Sequence, residues 1–336
     1  MVYLSIKRNK KRVNLQARYD QNRGLVLMVK VLKNGGISLH TNLSNIKITD
    51  IKHKIRHPVE SLEIKLKKIV TALNALDEAF ESNENDTIFD HDGSVEKRIF
   101  DYVQSLDELY DISFLVMKAV NETISNDNNN AILWCKENCK DKYSNFKGAV
   151  DRYHKTIRII SNKIKHDSLK VDFVTLVGNK DNPISGFYFS NIIGKNNLNG
   201  SDSDIHEVYE GSSTAFSYNH FIKSTVGFVF YMLDKLNSTL FKEMKLKNDD
   251  LLTLSESLSL ISVAEKYKPH FFPDEYSRYV LSIVESKKSF NIDFPYKQGE
   301  NKSFVLTNVQ SSFRINNIGG TSSGHNQIPY HKLIWP

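Results

Sequence analysis

The 336-residue sequence predicts a mainly α protein with β elements, an α+β fold. In this reading a helical bundle carries an inserted β-hairpin, an N-terminal β-hairpin precedes it, and a strand-rich C-terminal tail follows. Three observations predict it. Apolar residues recur at spacings of three and four over the long central stretches. Residues 3–40 and 171–210 instead alternate or run apolar between turn-forming residues. From residue 290 onward the pattern again shortens to strand-like alternation. Three segments follow: a basic β segment over 1–57, the bundle with its β insertion (171–210) over 58–248, and a helix plus short strands over 249–336.

Tyr3-Leu4-Ser5-Ile6 and Val13-Asn14-Leu15-Gln16-Ala17 alternate, and the apolar run from Leu25 to Leu32 is broken only by Lys30. Asn34-Gly35-Gly36 then predicts a tight turn into a strand from Ile37 to His40. Pro58 suits a first helical position. Leu62, Leu66, Ile69, Leu73, Leu76 and Phe80 mark the helix that follows, with a polar break over 81–93. Asp92 or Ser94 can cap a second helix, whose stripe is Val95, Ile99, Val103, Leu106, Tyr110, Met117 and Val120. A short segment at 131–134 leads to a third helix near 142–167. A strand from Val171, a turn over 178–183, a strand at 186–193, a loop at 196–203 and a return strand at 205–210 form the insertion. The fourth long helix spans about 217–244, with Phe221, Val226, Val229, Leu233, Leu236 and Leu240 inward. Residues 268–273, with two prolines, form a rigid connector. A helix is expected over 274–288 and short strands over 290–318.

Composition narrows the class. No run of 18 apolar residues exists, so no membrane-spanning helix is expected, and the cation-rich start has the wrong order for a secretory signal. With two cysteines, Cys135 and Cys139, a cytoplasmic protein with reduced, metal-free thiols is expected. Charge is uneven: residues 1–68 hold 16 Lys+Arg against 4 Asp+Glu, so the remainder of the totals 45 and 39 is 29 against 35. The basic end suits an acidic partner, either nucleic acid or a protein surface. Its cations cluster at Lys7, Arg8, Lys10, Lys11 and Arg12, in a connection between strands.

Nucleotide-binding glycine loops, the His-Glu-x-x-His zinc motif and the Gly-x-Ser-x-Gly elbow are absent from the sequence. Asp90-His91-Asp92 reads as a loop and helix cap, and Gly319 to Gly324 as a flexible loop. No cofactor and no metal is expected.

One stretch carries a resemblance. The third helix ends Arg158-Ile159-Ile160-Ser161-Asn162-Lys163-Ile164-Lys165-His166, with Asn162 four residues before His166. This arrangement, at the end of a long helix in a bundle, resembles the HEPN superfamily over about residues 60–245. The resemblance implies metal-independent RNA cleavage at a composite site between two copies, in bacterial defence or toxin–antitoxin systems. The family motif is an Arg, a polar residue, a short spacer and a His. Asn162 and His166 fit; Ser161 stands at the Arg position, and Arg158 lies one turn earlier. The candidate catalytic residues are therefore Arg158, Asn162 and His166. Lys163 and Lys165 join the N-terminal cations as candidate nucleic-acid contacts.

Helix geometry bears on the same residues. At 100° per residue, Phe146, Val150, Tyr153, Ile157, Ile160 and Ile164 form the expected core stripe. Asn162 and His166 fall on the opposite face with Lys155 and Ile159. A branched apolar residue there suggests a covering surface, and a second copy of the chain is expected. Asn162 and His166 also suit a helix terminus, where they satisfy free carbonyls. The expected function is thus a HEPN-like component of a bacterial antiphage or toxin-type defence system that contacts RNA or another nucleic acid. The alternative is a non-catalytic assembly or sensor subunit that binds another protein.

Overall fold

The computed structural model describes residues 27–46, 56–85, 94–121, 130–166, 169–178, 183–193, 198–241, 251–297, 306–311 and 328–333. Along the chain it places β1 (Leu27–Leu32), α1 (Ser38–Ser44), α2 (Pro58–Asn85), α3 (Ser94–Val120), α4 (Ala131–Asn138) and α5 (Lys140–Lys165). There follow β2 (Lys170–Gly178), β3 (Pro183–Ile193), β4 (Leu198–Ser201), β5 (Val208–Tyr209), β6 (Ser212–Ser213), β7 (Phe216–Ser217) and α6 (Tyr218–Leu240). The C-terminal part adds α7 (Ser255–Lys266), a 3-10 turn (Pro273–Ser277), β8 (Tyr279–Glu285), β9 (Ser289–Lys297) and β10 (Leu306–Ser311). The α+β class read from the sequence is the class observed. Among the described residues, no helix is long and apolar enough to cross a membrane.

The core is organised around α6. This helix is buried along most of its length, from Tyr218 to Leu236, the pattern of a helix surrounded by other elements. It packs against α1, α3, α5 and α7 and against strands β8 and β9. Gly227 permits a close approach of β9: a Cβ there would lie 2.4 Å from the Phe294 ring. Ser217 caps α6 by accepting from the His220 amide. The long antiparallel neighbours α2 and α3 bury the stripes expected of them, including Leu62, Leu66, Leu73, Ile99, Val103 and Leu106.

Two antiparallel sheets flank the helices. The expected hairpin forms as β2 and β3, paired from Lys170↔Ser190 to Val177↔Pro183. It is not an isolated hairpin, however. It forms the centre of a sheet ordered β10-β2-β3-β4, with β7 also pairing β3. The other sheet is ordered β1-β9-β8.

Four local expectations are corrected. Residues 38–44 are helical rather than a strand after the Gly35 turn; Leu39, His40, Thr41, Asn42 and Leu43 are all buried, which a two-sided alternation cannot produce. Residues 274–288 form the 3-10 turn and β8, not a helix, because the β-branched run around Val280, Ile283 and Val284 finds a partner strand in β9. The loop expected at 196–203 contains β4, and the return strand at 205–210 shrinks to β5, paired only with β6. The helix α7 lies in a stretch for which no element was expected. Residues 1–26, including the expected strands there and the cluster Lys7, Arg8, Lys10, Lys11 and Arg12, lie outside the described residues. So do Asp90-His91-Asp92 and the loop 319–324.

Candidate functional site

The centre of the candidate site is an aspartate on α3 that the sequence reading passed over. Asp107 lies among Val103, Leu106, Tyr110 and Phe114 on the face that packs against α5, and its side chain is only 2% exposed. An ionised carboxylate at such a position requires donors, and α5 supplies them at successive turns. His154 Nε2 lies 2.9 Å from Asp107 Oδ1. Arg158 Nε lies 3.0 Å from the same oxygen, and its Nη1 3.2 Å from Oδ2. Ser161 Oγ donates to Oδ2 at 2.8 Å, and Lys165 Nζ lies 3.4 Å from Oδ2. Spacings of four, three and four residues hold these donors in one row along the helix.

The cluster extends outward. Arg158 Nη2 also pairs with Asp111 at 2.6 Å. The Tyr110 ring stacks on His154, with centroids 3.7 Å apart, and its hydroxyl donates to Asp151 at 3.0 Å. Phe228 of α6 lies on the same imidazole, 6.3 Å away. Burial alone would raise the Asp107 pKa. The hydrogen bonds from His154 and Ser161, with the Arg158 charge, outweigh it and hold the carboxyl below its ordinary value.

The true inner stripe of α5 is therefore Phe146, Val150, His154, Ile157, Ile160 and Ser161. Tyr153 and Ile164, expected on it, are half-buried at its margin. The signal for the missed residues was present in the sequence: a carboxylate at a core position of one helix, and a His and a Ser at core positions of another.

The structure separates the sequence-predicted site residues. Arg158 faces Asp107 and Asp111. Asn162 and His166 are exposed, away from the core as expected. His166 closes α5 with its backbone amide donating to the carbonyls of Asn162 (3.2 Å) and Lys163 (3.3 Å). Lys163 points to neither group. Its ammonium lies 2.6 Å from Asp202 and 2.7 Å from Asp204, in the turn after β4. Burial would lower its pKa, but those two carboxylates raise it. Lys165 is half-exposed above Asp107. Ile159, on the outer side, packs at the margin of the chain's own core.

The outer side of α5 has a different character. Arg152, Lys155, Asn162 and His166 are all exposed, and residues 152–166 contain no Asp or Glu. Arg152 lies over the rings of Tyr153 and Tyr279, at 4.5 and 5.6 Å from their centroids. Among the described residues, no group of three or more His, Cys, Asp or Glu side chains is placed to hold a metal ion. Chemically, the Asp107 cluster is a saturated hydrogen-bond lock between α3 and α5, and the outer face is a cationic ridge. No family model, curated protein or solved structure matches the chain.

Proposed function

We propose that the chain is a HEPN-like component of a bacterial antiphage or toxin-type defence system that contacts RNA along the outer face of α5 and does not cleave it. The observation that carries this reading is the division of the α5 cations between two faces. Arg158, Lys163 and, more loosely, Lys165 are held by carboxylates of their own chain. Arg152 and Lys155 face outward beside Asn162 and His166 on a segment without an acid. A ridge of that kind supports backbone phosphate contact, and the Arg152–Tyr153–Tyr279 cluster beside it adds surface suited to a nucleobase.

Two features argue against cleavage. RNA cleavage needs a proton-transfer group and a cation on the same phosphate. Arg158 and His166 are eight residues apart, about 12 Å along a helix axis, and the Arg158 guanidinium is already shared between Asp107 and Asp111. Ser161, at the family's Arg position, carries no charge and donates to Asp107.

The test is binding of the purified full chain to a labelled single-stranded RNA across a salt series, beside an R152Q/K155Q variant. Weaker retention and a salt slope flatter by ~0.7 per lost phosphate contact are expected. RNA recovered intact from the native chain and from His166→Ala alike supports the non-cleaving reading. Cleavage by the native chain that His166→Ala abolishes would refute it. Equal retention by the native chain and the double variant would refute the ridge as the contact, and would favour the alternative role of a protein-binding assembly or sensor subunit. The resemblance also implies a second copy of the chain against this face, which light scattering on both proteins would test.

A further inference from the structure

The two cysteines meet at a break in the helical path, away from the Asp107 cluster. Cys139 closes α4 and immediately precedes α5, with φ −143° and ψ 55°, outside helical geometry. The Cys139 amide still donates to the Cys135 carbonyl at 2.9 Å, and the Cys139 carbonyl accepts from the Tyr143 amide at 2.9 Å. The residue is thus a joint between two helices. Both thiols are free; Cys135 is buried and Cys139 is partly exposed. The Cys135 thiol donates to the Phe114 carbonyl at 3.3 Å and lies within reach of the Cys139 sulfur, to which it can donate instead.

We propose that Cys139 is a peroxide-reactive thiol and that Cys135 is its resolving partner, so that the α4–α5 joint is a reversible oxidation site. Four features of the surroundings favour a thiolate at Cys139 and not at Cys135. Cys139 sits at the positive end of a 26-residue helix. It can accept hydrogen bonds from Cys135, when that thiol turns from the Phe114 carbonyl, and from the Asn121 side chain. The Lys142 charge is near, and Asp141 in the same first turn opposes it only in part. The Cys135 hydrogen bond above all, with Asn121 and the Lys142 charge and offset by burial, brings Cys139 down to about 7. Donating that hydrogen bond, together with burial, pushes the Cys135 thiol up, with Lys118 opposing weakly.

The chemistry balances with hydrogen peroxide as oxidant. The Cys139 thiolate attacks one peroxide oxygen; an S–O bond forms as the O–O bond breaks, and the departing oxygen takes a proton and leaves as water. Sulfur is oxidised by two electrons to the sulfenic acid. Cys135 then attacks that sulfur. The S–S bond forms, the S–O bond breaks, and the hydroxyl leaves with the Cys135 proton as a second water. Helix geometry puts the two α-carbons about 6 Å apart, inside the ~4.4–6.8 Å range of disulfides. The β-carbons of residues four apart on a regular helix lie about 5–6 Å apart, and a disulfide draws them to ~3.5–4.5 Å. The broken helical geometry at Cys139 is where the backbone can yield. Closure therefore shifts α4 relative to α5, next to the buried Trp134.

The experiment uses the full reduced chain titrated with hydrogen peroxide and read by intact mass. The expected result is a loss of about 2 Da that dithiothreitol reverses. Cys135→Ser should instead gain about 16 Da at Cys139, trapped by a sulfenic-acid reagent, and Cys139→Ser should stay unchanged at the same dose. Alkylation of the native chain by iodoacetamide against pH needs no variant and should show a midpoint for Cys139 near 7. A midpoint at or above the ordinary thiol value of ~8.5, or oxidation of the native chain that stops at oxygen adducts without the disulfide, would overturn the assignment.

Discussion

Replacing Asp107 by Asn tests whether the polar lock holds α3 to α5. The change keeps the side-chain size and removes the charge toward which His154, Arg158, Ser161 and Lys165 converge. Those four partners do not count equally. Lys165 is 52% exposed, so its share is near zero. Arg158 is 31% exposed and keeps Asp111, so its share is small. His154 and Ser161 are buried, and each loses a bond to a charged acceptor, worth roughly 1–1.5 kcal/mol after the neutral amide restores part of it. The expected destabilisation is about 2–3 kcal/mol, a fall in Tm of about 3–4 °C for a chain of this length. The pH dependence has a definite sign. The folded carboxyl lies below its unfolded value, so its stabilisation is complete above the unfolded value of about 3.9 and is lost as pH falls through the folded one. The native chain should therefore lose stability more steeply in that acid window than the Asn variant. Urea denaturation at neutral and acid pH measures both effects. A variant within ~0.5 kcal/mol of the native chain, with the same acid limb, would refute the lock.

Two glycines on helices should respond in opposite directions. Gly227→Ala places a methyl 2.4 Å from Phe294, so α6 and β9 must separate, and a loss of roughly 1–3 kcal/mol is expected by denaturation. Gly148 lies mid-helix on the exposed side of α5, where an added Cβ meets nothing within 4 Å; Gly148→Ala should raise stability by ~0.5–1 kcal/mol, and a loss would mean that another surface covers this position.

What the sequence made legible was periodic. The stripes of α2 and α3, and the strand pair β2–β3, were readable because spacing reports which face is buried. The same logic misplaced the core face of α5 by about half a side chain's width of arc. Tyr153 and Ile164 are apolar and were preferred to His154 and Ser161, yet the polar pair is buried because Asp107 waits across the interface. Periodicity on one helix cannot show a partner on another. The segment 274–285 failed for a related reason. Its strand state depends on pairing with β9, and α1 depends on burial beside α6, with Asn42 bonded to Asn237 at 2.8 Å. Such states are set by tertiary contacts that local propensity does not contain. Of the candidate site, the outward placement of Asn162 and His166 was readable from helix geometry, whereas the pairing of Arg158 and Lys163 with four aspartates required the fold.

Ser161 gives the sharpest test of how this helix relates to the motif it resembles. Ser161→Arg would recreate the order Arg, Asn162, three residues, His166. If the motif lacked only its cation, RNA cleavage should appear. The structure argues for another outcome. Ser161 has no exposed surface, and its hydroxyl donates to Asp107 at 2.8 Å. An arginine there must push into packed core, where overpacking costs roughly 1–3 kcal/mol, or displace Arg158 from Asp107. In either case its guanidinium is directed inward to Asp107, while His166 stays on the exposed side. The expected result is a less stable chain with no gain of cleavage. A second substitution separates the two causes. Arg158→Ala empties space beside Asp107, so the R158A/S161R double variant should recover part of the stability lost by Ser161→Arg, a coupling of the kind seen between residues that share one partner. Purely additive losses would mean that Arg158 and Ser161 do not compete for Asp107. Cleavage by Ser161→Arg that His166→Ala removes would mean that the two faces of α5 can act on one phosphate, and the non-cleaving role would then have to be abandoned.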